Sequence, residues 1–233
     1  MREQPLGPPL VKICGLRRRE DVVMVDELGA DFVGVLLTPG FSRSIDPRSV
    51  GRLLEGVRAR SVAVLVDESA DDARRKAEAL DAEVIQLHGR EPPEVLEALA
   101  RPGMWTLWKA VRVRTVQDVA NAVDEYRGLA DGILLEGWKA GVVGGGGVRL
   151  ELDAPPVREL FEGDQHLILA GGLTPVNVGA VIESFGPDVA DVSSGVERVA
   201  GEKDPALVRQ FISVARAVRS PVGVRPSEHE ASR

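Results

Sequence analysis

Short runs rich in Val, Ile and Leu alternate with segments of helical spacing along most of the chain. The runs are Val11–Cys14, Phe32–Leu37, Ser61–Val66, Val84–Leu87, Thr106–Ala110, Gly132–Leu135, His166–Ala170 and Val189–Val192. Each is short and apolar on both faces, which is the pattern of a buried parallel strand. Helices are predicted over Arg17–Leu28, Asp46–Val57, Ala70–Leu80, Pro92–Ala100, Thr115–Tyr126, Pro155–Phe161, Pro175–Phe185 and Pro205–Val218. In the first of these, Val22, Val25 and Leu28 recur every third residue and stay near one face. Asp46-Pro47, Thr174-Pro175 and Asp204-Pro205 each place an N-cap residue ahead of a proline suited to the first helical position.

Strict strand–helix alternation implies a parallel sheet with right-handed crossovers. Eight such units over about 210 residues fit a single (β/α)8 TIM barrel. An open doubly wound sheet is the runner-up, but no GxGxxG follows the first run. The predicted organisation is a flexible N-terminal arm over residues 1–9, a barrel over 10–218 and a disordered C-terminal tail over 219–233.

Composition narrows the function. Of 233 residues, 44% are hydrophobic and 28% charged, as in an ordinary globular protein able to bury a core without staples. The net charge of −7 leaves no basic footprint for nucleic acid. It says little about a small-molecule site, since backbone amides can hold a phosphate locally on an acidic protein. No eighteen-residue apolar run is present, so no membrane span is expected. The first ten residues lack the apolar core of a secretory signal, and a cytoplasmic location is the expectation. One cysteine excludes a disulfide framework, and the three histidines are not at metal-ligand spacing, so no metal is expected.

In a barrel of this kind, chemistry gathers where strands end and βα loops begin. The first run ends Lys12-Ile13-Cys14-Gly15, and a period of two turns Lys12 and Cys14 inward together. Cys14 lies ahead of a helix start, which would favour the thiolate. Position alone leaves it either a reactive thiol or a small buried hydrophobe. Arg43, in the loop after the second run, is suited to clamping an anion, or else is a solvated loop arginine. His88 after the fourth run is an acid–base candidate or a satisfied structural histidine. Glu136 ends the sixth run, ahead of a loop carrying Gly144 to Gly147. The seventh and eighth runs lead into Gly171-Gly172 and Ser194-Gly195, where barrels commonly bind phosphate.

Together these segments resemble the phosphoribosylanthranilate isomerase family. The resemblance rests on VKICGL at 11–16, GADFVGV at 29–35, SRSI at 42–45, IQLHG at 85–89, LWKAV at 107–111 and DGILLE at 131–136. LAGGLTPVNV at 169–178, DVSSGVE at 191–197 and GEKD at 201–204 complete it. It implies a cofactor-free Amadori rearrangement of N-(5′-phosphoribosyl)anthranilate to a carboxyphenylamino-deoxyribulose phosphate. By that resemblance Cys14 is the general base, and Arg43 contacts the anthranilate part. Asp191 lies near the substrate amine, while Gly171, Gly172, Ser194 and Gly195 hold the phosphate. The related histidine-pathway sugar isomerase carries aspartate where Cys14 stands. The expected assembly is a monomer or a homodimer.

Two departures stand out. The family's general acid is an aspartate, and Glu136 occupies that position with one methylene more. The loop beyond it has four glycines and then Val148 to Leu152, in place of the family's glycine-rich and aromatic-Asp-Trp segment; Trp138 adds bulk beside the acid. The alternatives are a divergent paralogue isomerising another phosphosugar amine and a non-catalytic barrel that binds a phosphorylated ligand.

Overall fold

The computed structural model describes residues 7–100, 104–137, 154–161 and 165–218. Eight parallel strands close into a barrel: β1 (Leu10–Ile13), β2 (Phe32–Leu36), β3 (Arg60–Leu65), β4 (Val84–Leu87), β5 (Thr106–Val113), β6 (Gly132–Gly137), β7 (His166–Leu169) and β8 (Val189–Val192). Closure comes from β1, which pairs with both β2 and β8. The helices are α1 (Arg19–Glu27), α2 (Ala70–Leu80), α3 (Pro93–Leu99), α4 (Val116–Glu125), α5 (Ala154–Glu159), α6 (Val178–Phe185) and α7 (Pro205–Ala217). The (β/α)8 expectation holds, and its barrel spans the elements from Leu10 to Ala217. The proposed tail, and residues 1–6 of the proposed arm, lie outside the described residues.

The two side-chain faces of each strand serve two cores. Outward residues such as Val11, Ile13, Val33, Val35, Ala63, Ile85 and Ile133 pack against the helices. Inward residues Phe32, Val62, Val64, Val84, Trp108, Leu134, Ile168 and Val189 fill the barrel. Phe32 meets Trp108 edge-on, with ring centroids 4.9 Å apart. A β-carbon on inward-facing Gly34 would lie 3.0 Å from the Cys14 sulfur and 3.1 Å from Lys12 Cε. Glycine there is the room in which those two side chains stand.

A recurring device ties strands together at the end of the barrel where they begin. Asp31, Asp131 and Asp188 each precede an even-numbered strand. Their carboxylates accept the backbone N–H of Val11 at 2.7 Å, Leu107 at 2.7 Å and Leu167 at 2.8 Å, each on the preceding odd strand. At the β3–β4 pair the Ser61 hydroxyl accepts from Glu83 N at 3.0 Å instead. These groups pin pairs of strands and leave the opposite end to chemistry.

Three expectations need correction. The helix predicted over Asp46–Val57 is only a 3-10 turn, Pro47–Ser49, capped by Asp46. Val50 and Leu53 are buried there, so their spacing recorded packing rather than helix. Gly51 and Gly56 (the latter at φ +74°) explain why a helix does not propagate. At Thr174-Pro175 a turn precedes α6, which starts at Val178 with Asn177 as its N-cap. A two-stranded hairpin, β9 (Glu197–Val199) with β10 (Glu202–Lys203), follows β8 and was not anticipated. Asp204 caps α7 as predicted, accepting from Ala206 N and Leu207 N. Among the described residues, no helix is long and apolar enough to cross a membrane.

Candidate active site

The end of the barrel where the strands finish holds a cavity of about 310 Å³. Every site residue predicted from the sequence lines it: Cys14, Arg43, Glu136, Asp191, Gly171, Gly172, Ser194 and Gly195. His88 lines it too. Residues from distant parts of the chain are thus brought together by barrel closure alone.

Inward-facing Lys12 is fully buried and donates to Asp191 Oδ2 at 2.7 Å. Burial would strip its proton, but Asp191 and Cys14 more than compensate, so its pKa is raised and it stays an ammonium. Asp191 Oδ1 is buried and has no hydrogen-bond partner among the described residues. It borders the cavity, where a ligand N–H can meet it. Cys14 is partly exposed at the cavity wall. Burial pushes its thiol up, Lys12 and Lys203 pull it down, and the net direction is up. The expected helix-end stabilisation of the thiolate is therefore not what governs Cys14. The first helix, α1, begins only at Arg19, and the ammonium of Lys12 is the group that meets a thiolate here.

Arg43 does not stand as a lone clamp. Its Nε and Nη2 donate to Glu197 Oε1 and Oε2, each at 2.7 Å. Lys203 Nζ donates to the same carboxylate at 2.9 Å and to Ser193 O at 3.1 Å. Arg43 is thus oriented by one edge of its fork, and among the described residues Nη1 has no hydrogen-bond partner, which leaves that corner for an anion. Arg43 and Lys203 hold the Glu197 carboxyl down to about 2 from an ordinary 4.5, against the burial that would raise it. The folded value lies below the unfolded one, so this pairing stabilises the fold above pH 4.5 and is lost as pH falls toward 2. The expected result for Glu197→Gln is a protein less stable than wild type at neutral pH. That gap narrows across this acidic window, as thermal melts at a series of pH values would show.

The β7 and β8 turns are locked against each other. Gly171 and Gly172 hold φ of +85° and +64°, open to glycine at little cost. Asn177 braces the first turn, accepting from Thr174 N at 2.7 Å and donating to Gly172 O at 2.9 Å. A β-carbon on Gly195 would lie 1.8 Å from Leu173 O. For Gly195→Ala the turns must part. The expected cost is about 1–3 kcal/mol of stability, together with a raised KM for a phosphorylated substrate, read by thermal melts and steady-state kinetics.

Glu136 faces His88, with Oε2 3.2 Å from His88 Nε2 and 4.0 Å from Arg112 Nε. Burial raises its pKa, but His88, Arg112 and Lys12 outweigh that and hold it below the usual carboxylate range. A group expected to act as an acid thus rests as a carboxylate. Gln86, fully buried, holds the other ring nitrogen of His88 at 2.7 Å. The four-glycine run and Trp138 lie outside the described residues.

Sequence reasoning missed Gln86, Arg112, Glu197 and Lys203. Gln86 was within reach, being two residues before His88 on the same strand face. Among the described residues, no His, Cys, Asp or Glu group is arranged to hold a metal ion.

A family model described as N-(5'phosphoribosyl)anthranilate (PRA) isomerase matches residues 11–214. The chain belongs to that family. The N-(5'-phosphoribosyl)anthranilate isomerase of Chromohalobacter salexigens is 39% identical over 219 residues, covering 93% of this chain and 99% of its own. The crystal structure of phosphoribosyl anthranilate isomerase from Thermotoga maritima superposes with a TM-score of 0.79 at 33% identity, covering 90% of this chain and all of its own. A PRA isomerase structure in complex with reduced 1-(o-carboxyphenylamino)-1-deoxyribulose 5-phosphate gives a TM-score of 0.76 at 32% identity, with 90% of this chain and 100% of that one covered. The isomerase described here therefore shares both the barrel and nearly its full length with these relatives.

Proposed function

We propose that this isomerase converts N-(5′-phosphoribosyl)anthranilate to 1-(2-carboxyphenylamino)-1-deoxyribulose 5-phosphate, with Cys14 as base and Glu136 as acid. The observation that carries this reading is the single cavity lined by Cys14, Glu136 and the glycine turns of β7 and β8. The phosphate is placed against Gly171, Gly172, Ser194 and Gly195, whose backbone amides suit an anion. The anthranilate carboxylate is placed toward Arg43, and the substrate amine toward the unpartnered Oδ1 of Asp191.

The chemistry is a sequence of proton transfers begun by these two groups. Glu136 delivers a proton to the furanose oxygen; the C1–O bond breaks toward that oxygen, and the amine lone pair closes a C=N bond. Cys14 as thiolate removes the C2 proton, and the C–H electrons form the enolamine. Protonation at C1 with loss of the enol proton completes the ketone. C1 is reduced as C2 is oxidised, so the rearrangement balances within one molecule. Positioned acid–base groups contribute about 10²–10⁴-fold each to such steps.

Glu136 Oε2 reaches to 3.2 Å from His88 Nε2. Glu136→Asp shortens that reach while keeping the carboxyl. If Glu136 is the acid, this variant turns over more slowly than wild type, having lost its reach to His88, yet faster than Glu136→Ala, which has no carboxyl; kcat for the two variants side by side is the check.

A further inference from the structure

From this reading of Glu136 as the acid, we infer that His88 is the proton source of Glu136, and that Gln86 is the amide that lets His88 carry either charge. The need is plain in the resting site. A carboxyl acid must hold a proton before it can give one, and Glu136 sits between a histidine and an arginine that favour its ionised form. Histidine is the side chain able to change charge between about pH 5 and 8, so it can recharge a neighbouring carboxylate. The geometry allows direct transfer, with His88 Nε2 3.2 Å from Glu136 Oε2.

Gln86 is the second observation. Its amide nitrogen lies 2.7 Å from His88 Nδ1, and an amide N–H donates only. In this arrangement Nδ1 is the acceptor, which leaves Nε2 to carry the hydrogen toward Glu136. Gln86 Oε1 is buried without a hydrogen-bond partner among the described residues. A half-turn of the amide exchanges the two atoms and presents Oε1 to an Nδ1–H. The same side chain then accepts from an imidazolium as readily as it donates to an imidazole. A buried unsatisfied oxygen is costly, and this exchange gives it a use.

The imidazolium gives its Nε2 proton to Glu136 Oε2 and becomes neutral; Glu136 gives that proton to the furanose oxygen. Rearrangement later releases a proton from the C2 hydroxyl, and the pair regains what it gave. The other charged groups are accounted for. Arg112 of β5 lies 4.0 Å from Glu136 and cannot supply a proton near neutrality. Lys12 of β1 is tied to Asp191 of β8. Lys109 of β5 is closed on Glu91 at 3.0 Å and on carbonyls of residues 89 and 110. His88 itself is held in place, its backbone N–H donating to Leu65 O at 2.7 Å. Just beyond β3, Asp67 adopts φ +52° and accepts from Arg90 N at 2.6 Å, fixing the turn that follows His88.

The test is His88→Gln, which keeps an N–H toward Glu136 but carries no titrating proton. Wild type and variant are assayed on N-(5′-phosphoribosyl)anthranilate across pH. The expected result is a kcat about 100-fold lower, with one limb of the wild-type pH profile displaced by about one unit or more toward acid. Thermal melts establish that the variant folds, and Gln86→Leu, which removes the exchanging amide, shifts the same limb. A kcat within about threefold of wild type, or a lower kcat with both limbs in place, overturns the inference. Absence of turnover by the wild type itself would instead strike the assigned reaction, so the two failures are told apart.

Discussion

Cys14→Ala is expected to lose at least about 100-fold in kcat, and as much as about 10⁴-fold, while keeping its fold and its affinity for a phosphorylated ligand. The argument is geometric before it is electrostatic. Cys14 lines the cavity facing the β7 and β8 turns, and Lys12 meets its sulfur from the same strand face. Removing the sulfur takes away the only cysteine of the chain but leaves Lys12, Asp191 and the glycine turns in place. Ligand binding should therefore persist as turnover fails. The Cys14→Ala protein is to be titrated with inorganic phosphate or product by calorimetry, and its kcat measured alongside. Loss of both binding and turnover would point to a collapsed site, and unchanged kcat would remove Cys14 from the base role.

The second large effect is on stability. Lys12→Met should cost about 3–5 kcal/mol, because it leaves the Asp191 carboxylate buried opposite nothing. In a domain of this size that corresponds to a drop in Tm of roughly 10 °C. Methionine fills much of the lysine stem, so the loss comes from the unpaired charge rather than from a cavity. The double variant Lys12→Met with Asp191→Asn removes both charges and should recover most of the lost stability. If the single variant melts as wild type does, the pair contributes little and the barrel interior is wetter than its burial indicates.

The barrel was legible because its strands are apolar on both faces, and the outward half of each meets helices. The same rule turned Lys12 and Cys14 inward, where they are found. It failed at the end of β5. That strand runs on to Val113, past the predicted end at Ala110, and carries Arg112 to the rim. A charged residue after an apolar run reads as loop when it lies on the wet end of a strand. Glu197 and Lys203 were beyond the rule altogether. They sit on a hairpin after β8, and only folding shows that they share Arg43 as neighbour. Arg43 was found as a loop arginine, but its orientation depends on a carboxylate 154 positions away. The resting states of Cys14 and Glu136 were not legible either. Burial and neighbouring charge set them, and both depend on three-dimensional enclosure.

The most direct test of the acid and base facing one bound phosphosugar is to incubate wild type and Glu136→Ala with N-(5′-phosphoribosyl)anthranilate and resolve the isomers by chromatography with mass detection. Wild type should form the carboxyphenylamino-deoxyribulose phosphate, and the folded Glu136→Ala protein should form it at least about 100-fold more slowly. Product at the wild-type rate from Glu136→Ala, or none from wild type, would contradict the account.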